Sequence, residues 1–194
     1  MRNRISRKCR SACVCFVLLM SSCATLPEKP LPAKIPQDYW LQKKESVARA
    51  KREKIQGVLD SVFRKALSTK TMDEFGIITM KESIALLEEA SDSAPFVAEV
   101  ILGREQWSAG ALQPLFWKFR FWCVDMAGYL KDKKFAEILY SVAADRNERP
   151  EIRMRAVISL REMRMKQFLR ELFLKTEDVS IREEVAKSIL YLSR

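Results

Sequence analysis

Histidine is absent from all 194 residues, and glycine occurs only five times. Without histidine the usual general base near neutral pH is missing. No G-x-S-x-G elbow, P-loop, H-E-x-x-H pair or EF-hand loop stands in its place. The acid pairs Glu88–Glu89 and Glu183–Glu184 are successive residues of helical stretches. Successive helical side chains point apart, so these pairs read as surface charge. Nothing here reads as an enzyme, and no motif calls for a cofactor. Few glycines, no strand-like alternation of useful length and a dominance of helix formers predict an all-α chain. The most apolar run, Ser11–Met20, is too short to cross a bilayer, which needs roughly 20 apolar residues.

What is present begins with the N-terminus. Met1–Arg10 carries Arg2, Arg4, Arg7, Lys8 and Arg10 and no acid, and the run SACVCFVLLM follows it. Met20-Ser21-Ser22-Cys23 comes next. A basic head, a short apolar segment and small residues form the secretory pattern. Small residues directly before a cysteine resemble the lipobox of bacterial lipoproteins. Met20 stands where leucine is commonest in that family, and Leu19 sits one place early. The resemblance implies that residues 1–22 are a signal peptide and that Cys23 is diacylated. Cleavage before Cys23 would make it the first residue of the mature chain. An ordinary cleaved signal and an uncleaved anchor are the alternatives. By resemblance to the enterobacterial sorting rule, Ala24 in place of aspartate leans toward the outer membrane; the inner membrane stays open.

The signal accounts for half of the net charge. The chain has 35 basic and 25 acidic residues; without the five basic residues of 1–22 the excess is +5. Such an interleaved, mildly basic balance favours weak attraction to anionic lipid or acidic partners. It does not suit a nucleic-acid protein. Cys9, Cys13 and Cys15 leave with the signal and Cys23 takes the lipid, so only Cys123 remains in the folded part. One thiol excludes an intramolecular disulfide and a thiolate zinc site. The apolar stretch around Cys123 suits burial.

Residues 23–37 read as a lipid-bearing cysteine and a tether. Pro27, Pro30, Pro32 and Pro36 favour extended polyproline-like chain, reaching roughly 40 Å at ~3.1 Å per residue. A folded domain over 38–194 follows. Asp38 is placed to cap one long helix from about Tyr39 to Leu67. Its first part, Gln42–Lys54, is highly charged and suits solvent, a membrane or a partner. Its second part carries an apolar stripe from Ile55 to Leu67. Ser68–Ile78 reads as a connector with a short turn opened by Thr71 and Glu74. Thr79 and Glu82 fit a capping box, and Ser93 with Pro95 fits a further helix start.

From Gln113 the chain repeats itself. Phe119-Arg120-Phe121-Trp122-Cys123-Val124 aligns with Ile152-Arg153-Met154-Arg155-Ala156-Val157, and Phe135 and Leu139 align with Phe168 and Leu172 at the same offset. A third copy begins at Ile181-Arg182-Glu183-Glu184-Val185-Ala186 after a shorter loop, with Ser180 and Glu183 as another capping box. Helix pairs at a period of about 30–40 residues make an α-solenoid. The units are similar to HEAT repeats, most clearly over 113–194. That resemblance implies a right-handed stack of helix pairs, here preceded by the long N-terminal helix.

Arg120, Arg153 and Arg182 recur at one repeat position. They form either a structural ladder paired with the acids Glu148 and Asp178 of adjoining loops, which is the favoured reading, or a stripe for an acidic partner. Arg146, Arg149, Arg155, Arg161 and Arg164 lie off that ladder and are the better candidates for a partner-binding basic face. Leu115–Trp122 is the densest aromatic segment. Phe119, Trp122, Cys123, Met126 and Leu130 read as core. Phe116, Trp117 and Phe121 need a second buried face or a ligand. The expected function is a membrane-anchored envelope module that binds a protein partner through its solenoid surface. An envelope enzyme or enzyme subunit, and a module binding anionic lipid or cell-wall polymer through Gln42–Lys54, are the alternatives. The oligomeric state is not legible.

Overall fold

The apolar stripes of the sequence become ten helices, with no strand, among the described residues of a computed structural model. Residues 35–36, 38–104 and 113–194 are described. The signal, Cys23, most of the tether and the segment around Trp107 and Gly110 lie outside them. In chain order the helices are α1 (Tyr39–Ser46), α2 (Arg49–Ser68), α3 (Met72–Ile78), α4 (Met80–Glu88), α5 (Ala90–Ile101), α6 (Gln113–Leu130), α7 (Phe135–Ala144), α8 (Pro150–Glu162), α9 (Lys166–Lys175) and α10 (Val179–Tyr191). All belong to one unit spanning Ala33–Arg194. None of them is long and apolar enough to cross a membrane.

The expected long helix over Tyr39–Leu67 is broken. Val47 (φ −70°, ψ 132°) and Ala48 (φ −55°, ψ 140°) are extended. Neither glycine nor proline marks the break. Tertiary contacts make it: α1 folds onto α5, Trp40 stacks on Phe135 at 4.8 Å, and Val47 is buried. Arg52 Nη2 donates to the carbonyls of Glu45 and Val47, both at 3.0 Å, which satisfies acceptors freed by the break. The charged segment does not project as a free polycation. Lys51 and Lys54 pair with Asp92 and Glu89 at the start of α5, and Lys43 pairs with Asp132. Lys54 and then Lys51 hold the Glu89 carboxyl below its ordinary pKa.

Four helix starts differ from expectation. Asp38 precedes α1, but its side chain makes no capping hydrogen bond. Thr71 does cap α3, accepting from the Glu74 N–H at 3.2 Å while Glu74 accepts from the Lys70 N–H at 3.0 Å. Thr79 makes no such bond. Its hydroxyl donates back to the Phe75 carbonyl at 2.7 Å, and Glu82 is taken by Ser61 and Lys65 instead. Ser93 and Pro95 lie inside α5, which starts at Ala90. Asp178, not Ser180, caps α10 by accepting from the Ile181 N–H.

Helices α6, α8 and α10 pack side by side in one row, and α7 and α9 pack on each other beside it. Helix α5 extends the first row against α6, and every residue from Ser93 to Ile101 is buried between α1, α2 and α6. Cys123 and Ala156 are fully buried where the rows meet, while Ala186, in the last copy, is half-buried. Small residues let α6 and α8 approach closely. Ser159 Oγ donates to the Val124 carbonyl at 2.9 Å. A Cβ on Gly128 would lie 3.1 Å from the Ser159 backbone. Gly128→Leu should therefore cost about 1–3 kcal/mol by overpacking. Gly57→Ala, in α2 where a Cβ meets nothing within 4 Å, should gain up to about 1 kcal/mol from helix propensity. Urea titration of both variants measures the contrast.

Candidate functional site

The recurrent arginines sit where the helix pairs join. Arg153 is 5% exposed. Its Nε donates to the Ala143 carbonyl at the end of α7 (3.1 Å), and its Nη1 donates to Asp178 at 2.7 Å, ahead of α10. Arg120 makes the forward contact, with Glu148 ahead of α8 at 2.9 Å. Arg182 makes the backward one, to the Phe173 carbonyl at 3.4 Å, and lies over the Phe173 ring. Repeat spacing thus places each guanidinium across a junction between units. The Asp178 carboxyl is held below its ordinary pKa by the Ile181 N–H and, against some desolvation, by Arg153.

The off-ladder arginines do not share one face. Arg146 and Arg149 stand at the start of α8, Arg161 and Arg164 at its far end. Arg146 is exposed and paired with Glu177 at 2.6 Å. Arg149 lies over the Trp117 ring at 4.5 Å, so these two sequence candidates do meet. Trp117 and Phe121 are half-buried against the core. Arg155 pairs with Asp125 on α6, and burial lowers its pKa. Phe119, Trp122, Cys123 and Met126 are core, and Trp122 Nε1 donates to Ser83 Oγ at 3.0 Å.

Arg161 and Arg164 face a hollow of about 620 Å³ that Lys131, Lys166, Tyr191 and Arg194 also line. Arg161 is held by Glu162 at 3.2 Å and Glu184 at 3.5 Å. Elsewhere, Met80, Ile84 and Leu87 recur at helical spacing on α4 and are 60%, 55% and 36% exposed. Ile77 precedes them at 71% exposure, giving an apolar stripe that no described element covers.

Sequence reasoning passed over Lys118. It is buried inside the aromatic segment, and its ammonium donates to the Thr69 carbonyl, joining α6 to the end of α2. A lone lysine among aromatics was the available signal. Among the described residues no group of three His, Cys, Asp or Glu is placed to hold a metal ion. Glu89 and Glu184 are engaged in ion pairs. No protein family, no curated protein and no solved structure matches this chain.

Arg153→Ala should cost about 2–4 kcal/mol at pH 7, because it orphans the Ala143 carbonyl and removes a partner of Asp178. The pH dependence follows from the sign of the shift. A carboxyl whose folded pKa is depressed contributes stability above its unfolded pKa of about 3.9 and loses it as pH falls through the folded value. The acid-side loss should be smaller in Arg153→Ala, with the Ile181 bond retaining part of it. Urea titrations between pH 7 and pH 2 read both effects.

Proposed function

We propose that this chain is a bacterial lipoprotein, anchored by fatty acyl groups on Cys23, that binds a protein partner in the cell envelope. Two or more acyl chains give stable attachment where one does not. The proline-rich tether sets the reach. A HEAT-like right-handed solenoid is the architecture of the folded domain in this reading. The two rows of helices, and the arginines bridging successive pairs, support it. Ala24 leans the location toward the outer membrane.

The observation that carries the interaction role is the stripe of Ile77, Met80, Ile84 and Leu87. Four large apolar side chains left in water on neighbouring turns are what an interaction surface presents before its partner arrives. Recognition by shape and apolar burial needs no reacting group.

Cys23→Ala should move the protein from the membrane fraction to the soluble fraction, read by fractionation of cells. Mass spectrometry of the native chain should find acylated Cys23 as its first residue. An intact Met1 on a freely soluble cytosolic chain would refute the anchor. Met80→Lys with Ile84→Lys should leave stability within about 0.5 kcal/mol, as exposed substitutions do. It should also remove the partner captured by crosslinking in intact cells. Capture unchanged by this pair would refute the stripe as the docking surface.

A further inference from the structure

The hollow at the end of α8 combines unbalanced charge with an unusual backbone. Five cationic side chains line it, Lys131, Arg161, Arg164, Lys166 and Arg194, against one acidic side chain, Glu162. Arg161 is committed to Glu162 and Glu184, and Lys166 donates to Ser193 Oγ at 2.8 Å. Lys131 and Arg164 have no side-chain hydrogen bond or ion pair with any described residue. Both are left-handed, with φ of +54° and +58°, and they are the two non-glycine residues with positive φ among the described ones. They are also repeat equivalents, one following α6 and the other closing α8.

Helix α5 closes the same turn with glycine at the left-handed position. There Leu102, Gly103 and Arg104 donate to the carbonyls of Ala98, Val100 and Glu99. At α8, Met163, Arg164 and Met165 donate to Ser159, Arg161 and Leu160 in the same pattern. Gly103 takes the left-handed position at +69°, as glycine does most easily. Arg164 occupies it with a long side chain, at a conformational cost glycine would avoid. A cation near a helix C-terminus offsets part of that cost through the dipole. The dipole alone does not explain why two strained cations converge on one hollow that already holds three others.

We propose that this hollow binds a phosphoryl-bearing anion, with Lys131 and Arg164 as its principal ligands. A phosphate monoester carries close to two charges and three terminal acceptor oxygens, and a phosphodiester headgroup one charge and two such oxygens. Guanidinium groups match those oxygens with paired N–H donors, and lysine adds a mobile point charge. Tyr191, also lining the hollow, supplies a hydroxyl. The volume admits more than one phosphate. This site is independent of the Cys23 anchor and of the α4 stripe.

The test separates binding from folding because glycine relieves strain as it removes charge. The full chain, in non-ionic detergent, is titrated calorimetrically with inorganic pyrophosphate and with short-chain phosphatidylglycerol below its micelle concentration. Lys131→Gly with Arg164→Gly should weaken binding at least tenfold and raise the ligand-free Tm by a few degrees. The asparagine pair, Lys131→Asn with Arg164→Asn, tolerates the same backbone and should show the same loss of affinity. Glu162→Gln should tighten binding. Pyrophosphate alone as a ligand assigns the site to a free phosphate; binding of the lipid assigns it to a headgroup. Failure of both ligands to bind at low salt, or affinities unchanged in both paired variants, would overturn the proposal.

Discussion

One buried guanidinium holds two junctions at once. Arg153 ties the end of α7 to the start of α8 and the start of α8 to the cap of α10. Its charge is removed from water, so it contributes only because both ends are satisfied. An unpaired charge at that depth would cost several kcal/mol. Asp178 is bound in turn by the first turn of α10, so the arginine, the acid and a backbone N–H form a chain across three helices. Arg120 and Arg182 carry part of the same arrangement at neighbouring junctions. Arginine contacts thus span the same junctions that apolar packing fills.

The N-terminal half is organised on another principle. Helix α5 is enclosed on several sides, and the elements around it are fastened by unrelated polar contacts. Lys118 reaches the end of α2, Trp122 reaches Ser83 on α4, and Glu82 collects Ser61 and Lys65. These bonds cross between elements distant in sequence and follow no period. The regular half and the irregular half meet along α5 and α6.

The regular half was legible because its signal is periodic. Arg120 and Arg153 stand 33 residues apart and Arg182 follows after 29, with Glu148 and Asp178 ahead of the next helix for the first two, and each arginine lands at a junction. The break at Val47–Ala48 was not legible. The charged stretch around it carries no glycine or proline to mark a break, and tertiary contacts, the Trp40–Phe135 stack and the packing of α1 on α5, select the bend. Capping patterns failed for a related reason. Thr79–Glu82 and Ser180–Glu183 fit the local rule, yet tertiary partners took Glu82, and Asp178 stood two residues earlier with a carboxylate. Of the basic candidates, Arg161 and Arg164 converge because a left-handed residue turns the chain there. Residue type alone does not announce that conformation in lysine or arginine.

The way the chain enters the folded unit has a mechanical consequence. The Ile35 N–H is bonded to Glu137 at 2.7 Å, and α1 lies just beyond it against α5 and the start of α7. Tension arriving from the N-terminal side loads that bond and then the Trp40–Phe135 stack, well before any arginine junction. Helix α1 has eight residues, too few to persist once detached. It would act as a fuse, yielding under load while the stacked pairs behind it stay intact.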